Sequence, residues 1–140
     1  MREISSHKDL IVWQKSVVLA SKVYALTRAL PSEERFGLTQ QLRRAAVSIA
    51  SNIAEGSARK NRGEFIQFLH IARGSLAELE TQMMIALDQK LLECGESPLC
   101  DIAETGRLLN GLITRLSAAS RLAHAKACEN GAEMSRPTNR

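Results

Sequence analysis

A chain of 140 residues suffices for one domain with a real core. Its 44% hydrophobic content excludes a chain disordered throughout, and 4% aromatics with abundant Ala and Leu disfavour a β-sandwich against helices packed through small aliphatic side chains. The formal charge of +4 (pI about 9.3) points mildly to polyanions rather than to acidic function, with ordinary solubilising charge as the plain alternative.

Residues 9–30 read as the first helix. Leu10, Trp13, Val17, Ala20 and Tyr24 recur at three- and four-residue spacing, Asp9 can cap the start and Pro31 closes the element. A connector, "PSEERFG" (31–37), follows. The second helix covers 38–56. Leu38, Leu42, Ala45, Ala46, Ile49 and Ile53 form one stripe, and Val47, Ala50 and Ala54 fall on another at about 100° per residue. Gly56 is the expected stop.

The third helix covers 62–92, opened by Asn61 with Glu64 three residues on, a variant capping box. Phe65, Phe68, Leu69, Ala72, Leu76, Leu79, Met83, Ala86 and Leu87 line it, with Ile66, Ala77 and Met84 beside them. After "ECGESP", Ser97 and Pro98 start a fourth helix running to about 127, lined by Leu99, Ile102, Leu109, Leu112, Ile113, Leu116, Ala119 and Ala123. Residues 128–140 lose the period and read as a frayed or disordered tail. Residues 1–127 are thus expected to form an all-α, antiparallel up-down-up-down four-helix bundle.

A bundle helix needs one apolar face. Two stripes on the second helix mean either a helix touching several neighbours or a subunit interface through Val47, Ala50 and Ala54. Self-association is the preferred reading.

Positive charge is concentrated early. Residues 1–62 hold eleven Lys/Arg against five Asp/Glu, and residues 63–127 hold six against eight. The corner "GSARKNRGE" (56–64) places Arg59, Lys60 and Arg62 before a helix N-terminus, where free N–H groups favour anions. A solvated turn is the plain alternative. It is not a P-loop, since no Gly-Lys-Ser/Thr ending follows. Arg43 and Arg44 diverge by about 100°. One is expected to face solvent and bind phosphate, the other to pair with Glu80 or Glu55. Arg73, Glu55, Glu78 and Glu80 read as structural ion pairs that fix helix register, not as catalytic groups.

Trp13, beside Gln14 and Lys15, reads as core rather than a stacking platform. His70 reads as a surface residue and Met83 and Met84 as packing. Ser48 and Ser51 have no adjacent base for nucleophilic catalysis. Cys94, Cys100 and Cys128 make no Cys-x-x-Cys pair, so reduced thiols are expected, with no metal site and no cofactor. "MREISSHKDL" lacks an apolar signal core and charges interrupt every apolar run, so a cytoplasmic protein without membrane contact is expected.

The segments "HKDLIVWQKS" (7–16), "LPSEERFGLTQQLRRAAVSIASNIAEGSAR" (30–59) and "EFIQFLHIARGSLAELETQ" (64–82) resemble the bacterial four-helix bundle family first noticed as proteins encoded in intervening sequences of 23S rRNA genes. They are also similar to the accessory variability determinant proteins of diversity-generating retroelements. The resemblance covers 7 to about 92. It implies a four-helix bundle, a ring-shaped homopentamer, and a basic surface with nucleic acid or a nucleic-acid enzyme as partner. Ala50 departs from it, since the family often has a kinking Pro there.

The functional expectation is therefore a non-enzymatic oligomer that binds nucleic acid, RNA above all, through Lys8, Lys15, Arg43, Arg44, Arg59, Lys60 and Arg62. Binding would be electrostatic, with no aromatic platform. The alternative is a protein-interaction scaffold that touches no nucleic acid directly.

Overall fold

The computed structural model describes residues 6–93, 95 and 98–133. Four helices account for most of them: α1 (Ile11–Thr27), α2 (Leu38–Ser57), α3 (Arg62–Asp88) and α4 (Leu99–Glu133). Single 3₁₀ turns at His7–Asp9 and Ser32–Glu34 precede α1 and α2, and no strand occurs among the described residues.

Side-chain pairs between helices fix the directions. Ser48 Oγ meets Ser75 Oγ at 2.9 Å, and Gln41 lies opposite Gln82 at 3.5 Å, so α2 and α3 are antiparallel. Arg73 bonds Asn110 at 3.2 Å, and Gly106 faces Leu76, which makes α3 and α4 antiparallel. Lys22 reaches Asp101 at 3.0 Å and Lys15 reaches Glu104 at 3.3 Å, so α1 and α4 also run oppositely. Arg43 bonds Thr27 while the turn before α1 also touches α2, which sets those two helices antiparallel. The expected up-down-up-down bundle is the observed one.

The stripes of α2 and α3 pack as their spacing predicts. Leu42, Ala45, Ala46, Ile49 and Ile53 are buried against Leu69, Ala72, Leu76, Leu79, Met83 and Ala86, with Ile102, Leu109, Leu112 and Ile113 contributed by α4. Full burial of each large aliphatic chain contributes roughly 1.5–3 kcal/mol. Met83 packs as expected, whereas Met84 is exposed.

The inward face of α1 differs from the expected one. Val12, Ser16, Leu19, Val23 and Thr27 are buried, while Val17 and Tyr24 are exposed. Two hydroxyls explain the displacement. Ser16 Oγ donates to the Val12 carbonyl at 2.6 Å and Thr27 Oγ1 to the Val23 carbonyl at 2.8 Å. Each satisfies its own polarity inside the helix, so both can be buried where a hydropathy pattern excludes them. Trp13 is half-buried against the core, with its ring edge-on to His7 at 4.9 Å.

Several boundaries also shift. Asp9 accepts a bond from the Ser6 amide and closes the 3₁₀ turn, so it does not cap α1. Gly56 does not stop α2, which continues to Ser57. α3 ends at Asp88, four residues early. Lys90 takes φ +56°, and the Lys90 and Leu91 amides bond the Leu87 and Ala86 carbonyls, the paired bonds of a Schellman cap. α4 continues six residues past the expected end, through Cys128–Glu133. An α-helix needs only its own backbone bonds to propagate, so loss of the apolar period does not end it. Cys94, Ser97 and residues 134–140 lie outside the described residues, so the expected Ser97 start and most of the expected tail do too.

Candidate nucleic-acid interface

The basic corner is built by the α2–α3 connection. Asn61 Oδ1 accepts the Glu64 amide at 2.8 Å, the N-cap bond expected from the sequence. Gly56 brings α2 against α3: a β-carbon there would stand 2.5 Å from Phe68 Cβ. The approach lets Arg59 lie over the Phe68 ring at 4.8 Å while its Nη2 bonds Glu55 Oε1 at 2.7 Å. Glu55 therefore does enter an ion pair, with Arg59 of the turn that follows α2 rather than with Arg43 or Arg44. Lys60 and Arg62 are exposed and belong to no ion pair among the described residues.

The end of the bundle gathers more charge than the corner alone. Counting back from the Arg43–Thr27 bond sets residue 11 about level with residue 59, so Lys8 stands at the corner's end. Counting from Arg73–Asn110 sets residue 121 about level with Arg62. Residues 122–133 of α4 therefore project roughly 18 Å past the bundle at that same end. Residues 121–131 are exposed throughout, and they carry Arg121, His124 and Lys126 against one carboxylate, Glu129. These groups are passed over in the sequence because residues 63–127 are net acidic, although the up-down order already sets the end of the fourth helix beside the corner.

Lys15 is elsewhere, bridged to Glu104 along the α1–α4 seam at 3.3 Å, with both side chains nearly half exposed. Such a pair contributes little stability in water and only partly neutralises the lysine. Arg43 and Arg44 lie at the opposite end of α2, about 22 Å along the axis from Arg59. Arg43 pairs with neither Glu80 nor Glu55. Its Nε donates to Thr27 Oγ1 at 2.8 Å and its guanidinium covers the Tyr24 ring at 4.6 Å.

Arg44 faces solvent as one of the pair was expected to. It lies between two openings on α2, one toward α1 and one of about 430 Å³ toward Glu78 of α3. The expected register-fixing ion pairs of α3 do not form among the described residues. Arg73 bonds an amide, Asn110, while Glu78 accepts from Gln82 Nε2 at 3.1 Å, and Glu80 is exposed. All three carboxylate or guanidinium groups stay hydrated, which avoids the cost of burying charge.

Val47 is exposed, but Ala50 and Ala54 are half-buried beside the core stripe. α2 contacts both α1 and α3, so part of its second stripe serves a neighbour within the chain. Among the described residues no three His, Cys, Asp or Glu stand together as metal ligands, and Ser48 meets only Ser75 and Asn52. No described helix is long and apolar enough to cross a membrane.

Residues 8–111 match the model of the 23S rRNA-intervening sequence proteins. The chain belongs to that family. A solved structure from the S23 ribosomal protein family of Bacteroides thetaiotaomicron, of unknown function, superposes with a TM-score of 0.68 at 26% identity. The similarity covers 74% of this chain and 98% of that one. No curated protein matches. The family match ends at residue 111, so the projecting end of α4 in this 23S rRNA-intervening sequence protein lies beyond the shared region.

Proposed function

We propose that this protein is a non-enzymatic, self-associating bundle of the cytoplasm that binds nucleic acid, RNA or a ribonucleoprotein above all, through one basic end. The observation that supports this most is the gathering of Lys8, Lys60 and Arg62 with Arg121 and Lys126 at that end, all exposed and outside any ion pair among the described residues. Such a surface binds phosphates by charge and releases counterions, without reading bases. Lys60→Ala with Arg62→Ala should weaken RNA binding and flatten its salt dependence by about one to two units of log–log slope. Unchanged affinity and slope in filter binding would reject the basic end.

Assembly, as a homopentamer by family resemblance, is supported by large apolar side chains that the single chain leaves exposed, including Val18, Ile71 and Ile85. Light scattering giving a mass near 15.4 kDa at high concentration would reject assembly. The same exposed side chains favour a second reading, a scaffold docking a partner protein without touching nucleic acid. A pull-down with and without nuclease separates the two, since partners held by RNA are lost on digestion.

A further inference from the structure

Tyr24 of α1, Phe36 of the α1–α2 connector and Val47 of α2 border one groove of about 560 Å³, with Arg35, Arg43 and Arg44 around them. Phe36 is 84% exposed, an unusual state for a phenylalanine ring. Each ring has a guanidinium on it: Arg35 stands 5.5 Å from the Phe36 centroid and Arg43 stands 4.6 Å from that of Tyr24. No carboxylate lines the groove, and none of the three arginines joins an ion pair among the described residues. Arg43 spends its Nε on Thr27, which fixes the group and leaves its terminal nitrogens for an anion.

We propose that this groove binds single-stranded nucleic acid, with a base on the open side of the Phe36 ring and phosphates on Arg35, Arg43 and Arg44. An exposed ring beside guanidinium groups that join no ion pair suits the base and the phosphates of one strand. A paired strand hides its base faces and cannot use the rings. An acidic peptide would satisfy the arginines but leave the open side of the Phe36 ring without a matching partner. The proposal rests on nucleic acid being the partner, but it concerns the end of α2 opposite the basic corner.

The test uses the full chain and two labelled probes, an oligouridine of about 15 nucleotides and an RNA duplex of equal length, followed by anisotropy. Phe36→Ala should weaken the oligouridine at least about fivefold and leave the duplex unchanged. Phe36→Trp should restore binding, and its added indole fluorescence should quench with oligouridine and not with duplex. The groove proposal is overturned if Phe36→Ala leaves the oligouridine unaffected or weakens both probes equally. It is overturned too if polyglutamate displaces oligouridine as well as unlabelled oligouridine does, which would indicate an acidic peptide site. A mass change of Phe36→Ala in light scattering would likewise overturn it, as the mark of an interface between copies. Failure of the basic-end reading shows separately, as Lys60→Ala/Arg62→Ala binding both probes like the wild type.

Discussion

Gly56 and Phe68 are in backbone-like contact: a β-carbon on the glycine would stand 2.5 Å from Phe68 Cβ and 3.0 Å from the Phe65 ring. Neither neighbouring atom is the free end of a flexible chain, so α2 and α3 must separate to admit a methyl group. Gly56→Ala should destabilise by about 1–3 kcal/mol, the cost of overpacking, although alanine is the better helix former. Gly74, exposed in the middle of α3, has nothing within 4 Å of its would-be β-carbon. Gly74→Ala should therefore stabilise by about 0.5–1 kcal/mol. Urea denaturation of both variants checks the opposite signs, and a Gly56→Ala midpoint at or above wild type would contradict the close approach.

Lys90 holds the left-handed position of the α3 C-cap. Only glycine takes that conformation without a β-carbon penalty. Lys90→Gly is expected to raise stability by about 0.5–1 kcal/mol, read as a higher melting temperature, despite the extra freedom of the unfolded glycine.

The N-cap of α3 depends on Asn61, whose oxygen holds the Glu64 amide. Asn61→Ala should cost about 1 kcal/mol, and Asn61→Asp should cost far less. Hydrogen exchange gives a local check: the Glu64 amide should lose protection in the alanine variant before the amides of the α3 middle do.

Thr27 Oγ1 donates to the Val23 carbonyl and accepts from Arg43 Nε at 2.8 Å. Thr27→Val keeps the shape and removes the acceptor of a charged donor, at a cost of about 1.5–3 kcal/mol. A double-mutant cycle with Arg43→Met should show coupling of at least about 0.5 kcal/mol. Additive losses would mean that the bond holds nothing in place.

How much of this was legible in the chain depends on whether one residue's environment is set by its neighbours in sequence. The α2 stripe from Leu42 to Ile53, the α3 stripe from Leu69 to Ala86 and the Asn61 cap were legible, because period and capping are local properties of one helix. The inward face of α1 was not. Ser16 and Thr27 look polar in sequence and become buriable only by bonding carbonyls one turn back, while Val17 and Tyr24 look apolar and face out.

The glycine at position 56 carried a stop signal by its type alone. Its real use, letting Phe68 come close, exists only once α3 folds back. Charge followed the same division. Composition showed that the front of the chain is basic. The tertiary structure decided that Lys15 and Arg59 meet carboxylates, that Lys60 and Arg62 join no ion pair among the described residues, and that α4 overshoots beside them. Tyr24, Phe36 and Val47 come from three separate elements, so the ring-lined groove between their arginines arises from packing, to which no periodicity within one helix refers.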